Sequence, residues 1–316
     1  MPRRHPLPPP LELVPFSVRR ARALDVTPGR LRSPDLVIPF RGARLHVGAV
    51  ELRDRCAALQ SVLGSESAFV GPTAARLHGM PLPSAFDAEG ALHVSTLAGR
   101  RAPRRDGVIG SRRPGAWSVQ EFNAVRVVGA VETWMSLAGH LSRPDLVAVA
   151  DFLLGPTAGA RPATRRAQMS DSLRSAGARR GIRDLRIALD LAREGVRSRP
   201  ESHLRLVLAD VGPREPAVAV PVRVGPGRFA HPDLSWPEWR VAVEYDGAGH
   251  RDSAQHAIDV ARHEELIDVG WSVLHVVAGD LYRRPSLVVA RVLRRLRAAG
   301  WVEPRAELTR FAQLER

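Results

Sequence analysis

Asp233, Glu244, Asp246 and His250 are of the types, and close enough in the chain, to perform metal-assisted acid–base chemistry. Carboxylates held together repel, and at least one of them titrates high unless a cation sits between them. A hard divalent ion with oxygen ligands is the economical occupant. Magnesium, or manganese in its place, needs one or two carboxylates and completes its shell with waters and phosphate oxygens. His250 follows the turn Gly247-Ala248-Gly249 and can lie near the same site as a general base, acid or phosphate ligand. Taken alone, Asp233 or Glu244 reads as an ion-pair partner of one of the many arginines.

These side chains converge if the chain around them forms strands. Residues 218–224, 229–236 and 240–246 read as three successive strands, separated by Gly225-Pro226-Gly227 and by Pro237-Glu238. With Pro237 and Glu238 as a two-residue loop, Trp236 faces Trp239 and Asp233 pairs with Ala242. His231 and Asp233 then share a face with Ala242, Glu244 and Asp246, while Val241, Val243 and Tyr245 turn to the core. Asp233 and Glu244 become diagonal neighbours, roughly 7 to 8 Å apart at the backbone. A helix from Pro200 to about Ala209 carries Glu201 near its positive end. Another from about Ala254 to Val269 leads into the apolar strand Trp271 to Val277, and a last helix spans Ser286 to Ala299. The expected fold class here is α/β with a mixed sheet.

Composition narrows the chemistry further. The chain has 316 residues, and all 47 of its basic Lys+Arg residues are arginine. Without lysine there is no P-loop, no protein-kinase strand lysine and no Schiff base. One cysteine, Cys56, excludes disulfide frameworks, C-x-x-C redox pairs, cysteine-based zinc sites and iron–sulfur clusters. It reads as a small buried hydrophobe rather than a nucleophile. Residues 1–196 hold 29 Arg against 17 Asp+Glu, whereas 197–316 hold 18 against 16. The excess positive charge therefore lies in the first part, and a polyanion, DNA above all, is the expected partner there. The first ten residues lack the apolar core of a secretory signal, and no stretch approaches 18 apolar residues, so the expectation is a cytoplasmic protein without a membrane span.

The front of the chain reads as helix, helix, β-hairpin. Apolar spacing predicts a helix over Phe16 to Leu24, Thr27-Pro28 starts a second through about Leu31, and residues 37–47 form a hairpin. This is the order of a winged helix-turn-helix. Arg30 and Arg32 would lie on or just after the recognition helix, with Arg41 and Arg44 around the turn of the wing. Thr73 is expected to cap a short helix ended by Gly79, strands are expected over 92–97 and 107–110, and helices over 131–140, 144–154, 163–176 and 180–194. The division expected is a winged helix over 1–50, a mixed and mainly helical region over 51–197, and an α/β domain over 198–316.

Glu201, Asp233, Val241-Ala-Val-Glu-Tyr-Asp-Gly-Ala-Gly-His250, Asp259-x-x-Arg262, Leu266 and Gly270-Trp-Ser-Val-Leu274 together resemble a family grouped with the very-short-patch repair (Vsr) endonucleases, of the PD-(D/E)xK restriction-endonuclease-like fold. The resemblance covers about residues 200–297. It implies that Glu201, Asp233 and Glu244 surround a metal, that Asp246 takes the position of the usual lysine, and that His250 assists the hydrolytic water. A chain with no lysine departs from that motif, so water activation falls to His250, Asp246 or a metal hydroxide. Pro15-Phe16 through Val47, Thr73-Ala-Ala-Arg-Leu-His-Gly79 and the helices from Val131-Glu-Thr-Trp134 to Asp151 are similar to actinobacterial AbiEi-type antitoxins. That similarity implies promoter binding by the winged helix and a toxin partner. Two functions follow as expectations: a magnesium-dependent DNA endonuclease, or a non-catalytic DNA-binding regulator of antitoxin type. A nucleotidyltransferase gene next door would favour the antitoxin, and a methyltransferase, hence a modification-system partner, the nuclease. His256 and His263, seven residues apart in one helix, are too distant to share a metal, and Asp259 with Arg262 reads as a helical ion pair.

Overall fold

The computed structural model describes residues 5–48, 51–87, 90–96, 100–112, 117–122, 125–156, 161–247 and 263–302. The chain divides into two compact units. One comprises 1–142 and 171–185, the other 143–170 and 186–316. This mixed α/β division differs from the expected boundaries at 50 and 197, because the helix 143–154 joins the C-terminal unit. No helix among the described residues is long and apolar enough to cross a membrane.

The first unit opens with a small helix–hairpin layer. Ser17 accepts the Arg20 N–H and so caps α1 (Val18–Arg22). The helix ends before Leu24, and Asp25 adopts a left-handed φ of 58°. Thr27 accepts the Arg30 N–H as its sequence suggests, yet a single 3-10 turn, Arg30–Arg32, follows in place of a full second helix. β1 (Phe16–Ser17), β2 (Leu36–Val37) and β3 (Ala43–His46) form a three-stranded sheet in the order β1-β3-β2. Leu11, Phe16, Ala21, Leu31 and Leu36 fill the space beneath.

The region after it sets helices beside a sheet. α2 (Leu52–Gln60), α3 (Gly71–Leu77) and α4 (Ala130–Ser136) accompany a five-stranded sheet of β4 (Ser67–Phe69), β5 (Leu92–Thr96), β6 (Val108–Arg112), β7 (Val119–Phe122) and β8 (Val125–Val128), ordered β6-β5-β4-β8-β7. β4 has three residues and β8 four, too few for an alternation to stand out from its surroundings. Cys56 is fully buried in α2, and burial pushes its thiol up to about 12, which leaves it inert at neutral pH. Thr73 lies inside α3 rather than at its cap, where its hydroxyl accepts the His93 N–H at 2.9 Å. Gly71 has φ of +56°, and a Cβ there would approach both the His93 and His140 rings at 3.6 Å. Those rings meet edge to face, 5.0 Å between centroids.

The second unit begins with α5 (Arg143–Leu154). α6 (Pro162–Ser175) and α7 (Ile182–Leu191) carry the chain into the first unit and back. Then come α8 (Arg199–Leu208), β9 (Ala217–Val218), β10 (Val222–Gly225), β11 (Arg228–Ala230), β12 (Leu234–Trp236), β13 (Val241–Asp246), β14 (Ser272–Val277), α9 (Ala278–Arg283) and α10 (Pro285–Ala298). The four-stranded sheet runs β14-β13-β12-β9, with β12 antiparallel to both neighbours and β13 parallel to β14. The two long strands expected over 218–224 and 229–236 are each split in two. Pro221 and Pro232 cannot donate to a ladder, and Ala219 turns through a left-handed φ of 47°. β10 and β11 pair as a separate hairpin. On one face of the sheet Leu204 and Leu208 of α8 and Val288, Val292 and Leu296 of α10 pack against Val241, Val243, Leu274 and Val276. Near the other face Leu266, from a helical run at 263–268, clusters with Val222, Ala230 and Val273.

α5 and α8 are joined by buried charge. Asp151 is 1 % exposed and Arg205 0 %, with Nη2 to Oδ2 at 3.1 Å. The Asp151 carboxylate also accepts the Ser202 hydroxyl at 2.7 Å and the Arg193 N–H at 2.6 Å. Arg205 Nη1 donates to Glu215 at 2.7 Å, and Nη2 to the Leu191 carbonyl at 2.8 Å. Burial raises the Asp151 pKa, while Arg205 and these hydrogen bonds oppose the rise. Asp151→Ala strands Arg205 beside Glu215 alone, and urea denaturation should report a loss of about 3–5 kcal/mol. Asp151→Leu with Arg205→Met should recover most of it, because both charges leave together. An unchanged midpoint in Asp151→Ala would show the pair to be unimportant.

The histidine pair at Gly71 makes the first unit acid-sensitive. Burial, and secondarily the charge of His140, pushes the His93 imidazole down to about 4, and burial also lowers His140. The folded unit keeps His93 neutral while the unfolded chain titrates near 6.5, so at acid pH the unfolded state binds more protons. Stability is therefore full above about 6.5 and falls as the pH drops through that value toward about 4. Thermal melts from about pH 7.5 to 4.5 should show a shallower decline for His93→Gln than for the parent. Parallel curves would refute the coupling.

Candidate functional site

Each strand of the candidate site is placed by the core on its opposite face. Val241 and Val243 are buried against α8, so the residues alternating with them on β13, Glu244 and Asp246, project the other way. The β12–β13 turn holds four residues rather than two. Pro237–Trp239 form a 3-10 turn and Arg240 closes it with a left-handed φ of 50°. Register becomes Leu234↔Val243, Ser235↔Ala242 and Trp236↔Val241, which corrects the expected pairing of Asp233 with Ala242. A slip of two residues leaves every side chain on its expected face. The ladder stops at Leu234, so Asp233 lies in the bend just before β12, beyond the last paired residue. Asp233 is held there, because its Oδ2 accepts the Tyr245 N–H at 2.9 Å and its carbonyl accepts the Ala219 N–H at 3.1 Å.

The parallel strand adds a residue that the local sequence pattern does not nominate. Glu244 is in register with His275 on β14. Glu244 and His275 thus occupy one level of two adjacent strands, and Asp233 is tied to the next residue of β13, Tyr245. His275 Nε2 and His263 Nδ1 share a hydrogen bond at 2.7 Å. On the other side of the ring, Asp246 Oδ2 lies 3.0 Å from His275 Nδ1, an ion-pair approach rather than a formed hydrogen bond. His275 was detectable, since it is the one titratable side chain in the otherwise apolar run 271–277. His263, which helical spacing alone makes peripheral, reaches the same cluster from the helical run 263–268.

Glu244 is 5 % exposed, whereas Asp246 is far more open, its side chain 38 % exposed. Glu201 serves the helix that carries it. Ser198 accepts its N–H at 3.3 Å, and its own carboxylate accepts the Arg197 N–H at 2.9 Å, closing a reciprocal cap at the start of α8. Among the described residues no group of three or more His, Cys, Asp or Glu is arranged to hold a metal ion. His250, with His256, Asp259 and Arg262, lies outside the described residues.

The arginines named for nucleic-acid contact divide into two kinds. Arg30 makes a two-pronged pair with Asp35, at 3.0 and 2.8 Å, and its Nε donates to the His5 carbonyl at 2.7 Å. Arg44 donates to the Leu31 and Ala43 carbonyls, both at 2.8 Å, and burial lowers its pKa. Both hold the helix–hairpin layer together. Arg32 and Arg41 are exposed.

No family model and no solved structure matches the chain. It is similar to two uncharacterized proteins of Mycobacterium tuberculosis, from strains CDC 1551 / Oshkosh and H37Rv, each 29% identical over 248 residues that cover 78% of this chain and 87% of the relative.

The division among the arginines is measurable. Arg30→Ala should cost the first unit about 1.5–3 kcal/mol, the range for hydrogen bonds to charged groups, and Arg44→Ala a comparable amount. Arg32→Ala should stay within about 0.5 kcal/mol of the parent. Equal melting temperatures for all three would mean that the first two do not hold the layer.

Proposed function

We propose that this is a DNA-binding protein whose second unit hydrolyses DNA phosphodiesters with a divalent metal, magnesium or manganese. The observation that supports this reading is the bond that ties Asp233 to the Tyr245 N–H, beside the level that Glu244 and His275 share. Carboxylates on neighbouring segments are a donor set that suits magnesium, and Asp233 and Glu244 are the residues that would hold it, with Asp246 alongside. When bound, such an ion stabilises charge on phosphoryl oxygens and acidifies its water.

The remaining work falls to the chain's own groups. The Tyr245 N–H aims the Asp233 carboxylate, and burial fixes Glu244. His275 Nε2 and His263 Nδ1 share a hydrogen bond, and the Asp246 carboxylate stands beside the far nitrogen of the His275 ring. This imidazole pair is suited to accept the proton that a lysine-containing site would manage through its amine. The exposed arginines of the first unit would bring the duplex to the protein.

A second reading has its own support. Asp233 is engaged by the Tyr245 amide and Asp246 by His275, and contacts of that kind suit a nuclease-like unit kept as a scaffold. The protein would then be a DNA-binding regulator of AbiEi antitoxin type.

Incubation of the intact protein with supercoiled, linear, mismatched and single-stranded DNA plus magnesium or manganese separates the two. Under the first reading at least one substrate is cut, and Asp233→Ala and Glu244→Ala each reduce cutting by about 100-fold or more. In melts, metal at about 100 times its dissociation constant should stabilise the parent by roughly 2.7 kcal/mol, and Glu244→Gln should remove most of that gain. No cutting, with identical metal responses in parent and variant, leaves the regulator.

A further inference from the structure

The first unit brings together two basic segments that are far apart in sequence. The β2–β3 turn, 38–42, and the loop before β6, 100–107, meet at an open hollow of about 780 Å³ lined by Ile38, Phe40, Arg41, Arg104, Arg105 and Asp106. Arg105 fastens one segment to the other, because its Nη1 donates to the Arg41 carbonyl at 3.0 Å and its Nη2 to the Val62 carbonyl at 3.1 Å. Two glycines let the loop lie close. A Cβ on Gly110 would fall 1.9 Å from the Pro103 carbonyl oxygen, and Gly107, at φ of +71°, sits where a Cβ would meet Phe40 at 3.5 Å. The loop is therefore held in one shape before any ligand arrives.

Fastening the loop leaves the side chains of Arg41 and Arg104 uncommitted. Both are exposed, and neither has a side-chain hydrogen bond or ion pair to another described residue. Beside them Ile38, the first residue after β2, is 61% exposed. Two free guanidinium groups in a fixed open hollow, with an apolar side chain next to them, match a chain of phosphates flanked by deoxyribose faces. Arg30 and Arg44, the arginines that the helix–hairpin order would assign to DNA, are committed to the fold.

We infer that the β2–β3 turn and the loop 100–107 form a single site for the phosphodiester backbone of duplex DNA, with Arg41 and Arg104 as its phosphate contacts and Ile38 against the sugar edge. This rests on the DNA-binding part of the proposed function and is independent of hydrolysis. It moves the contact surface from the 3-10 turn at Arg30–Arg32 to the hairpin tip and a loop of the neighbouring sheet.

The test is fluorescence anisotropy of a labelled duplex with the full-length protein, from about 50 to 200 mM salt. Each phosphate contact contributes about 0.9 to the slope of log affinity against log salt. Arg41→Ala and Arg104→Ala should each flatten the slope by about that much, and the double variant by about twice as much. Across that fourfold salt range each lost contact shrinks the affinity ratio about 3.5-fold. Arg294→Ala, an exposed arginine on α10, removes the same charge elsewhere and should keep the parental slope. If the parent binds duplex steeply and the Arg41 and Arg104 variants keep its slope, the site is refuted while DNA binding stands. If the parent does not bind duplex, the site and the DNA-binding reading fall together.

Discussion

Arg205 lies at zero exposure in the last turn of α8, where a charged side chain is tolerated because Asp151, Glu215 and the Leu191 carbonyl accept from its two terminal nitrogens. Its pairing with Asp151 fixes α8 against α5. α8 in turn presents Leu204 and Leu208 to the buried side of β13. Once Val241 and Val243 are committed to that side, period-two alternation leaves Glu244 and Asp246 no choice of face. A buried guanidinium suits this post better than an ammonium would. Its planar fork serves all three partners at once, and it cannot escape the cost of burial by losing its proton. The site's orientation is thus inherited from an ion pair on the far side of the sheet.

The face of each carboxylate was legible in the sequence, because it depends on parity alone. The register was not. A two-residue loop at Pro237-Glu238 and the actual four-residue turn keep the same parity, and the choice between them rests on Arg240 accepting a left-handed conformation that its residue type disfavours. The same limit hid the splitting of the strands. Pro221 and Pro232 are visible signals, but the apolar residues on either side of Pro221 masked the interruption there. His275 escaped for a different reason: its meaning depends on a parallel partner strand, and no local pattern announces which residue of β13 stands level with it.

Charge was legible as a sum and illegible as a set of roles. The excess of arginine over acid in residues 1–196 points to a polyanion. Spacing then nominates Arg30 and Arg44, since they fall where a recognition helix and wing would place them. Both are drawn into the fold by acceptors that spacing does not reveal: Asp35 and the His5 carbonyl for one, the Leu31 and Ala43 carbonyls for the other. A chain that uses arginine for every cation gives its structural and functional cations the same letter. The five-stranded sheet of the first unit was hidden in a similar way, by strands of only three to five residues interleaved with helices.

Having no lysine also shapes what chemistry the second unit can do. Guanidinium stays charged at any physiological pH, so none of the 47 arginines can take or give a proton. Proton transfer is left to histidine and carboxylate, and beside the carboxylates of β13 two of the eleven histidines, His263 and His275, are in direct contact. Two imidazoles that share a hydrogen bond, with Asp246 at the outer ring nitrogen, fix each other's orientation and leave one lone pair whose direction is set by the strand and the helix together. That directional constraint is what an amine on a flexible stem lacks, and it follows from the parallel register of β13 and β14, which the buried pair under α8 ultimately holds in place.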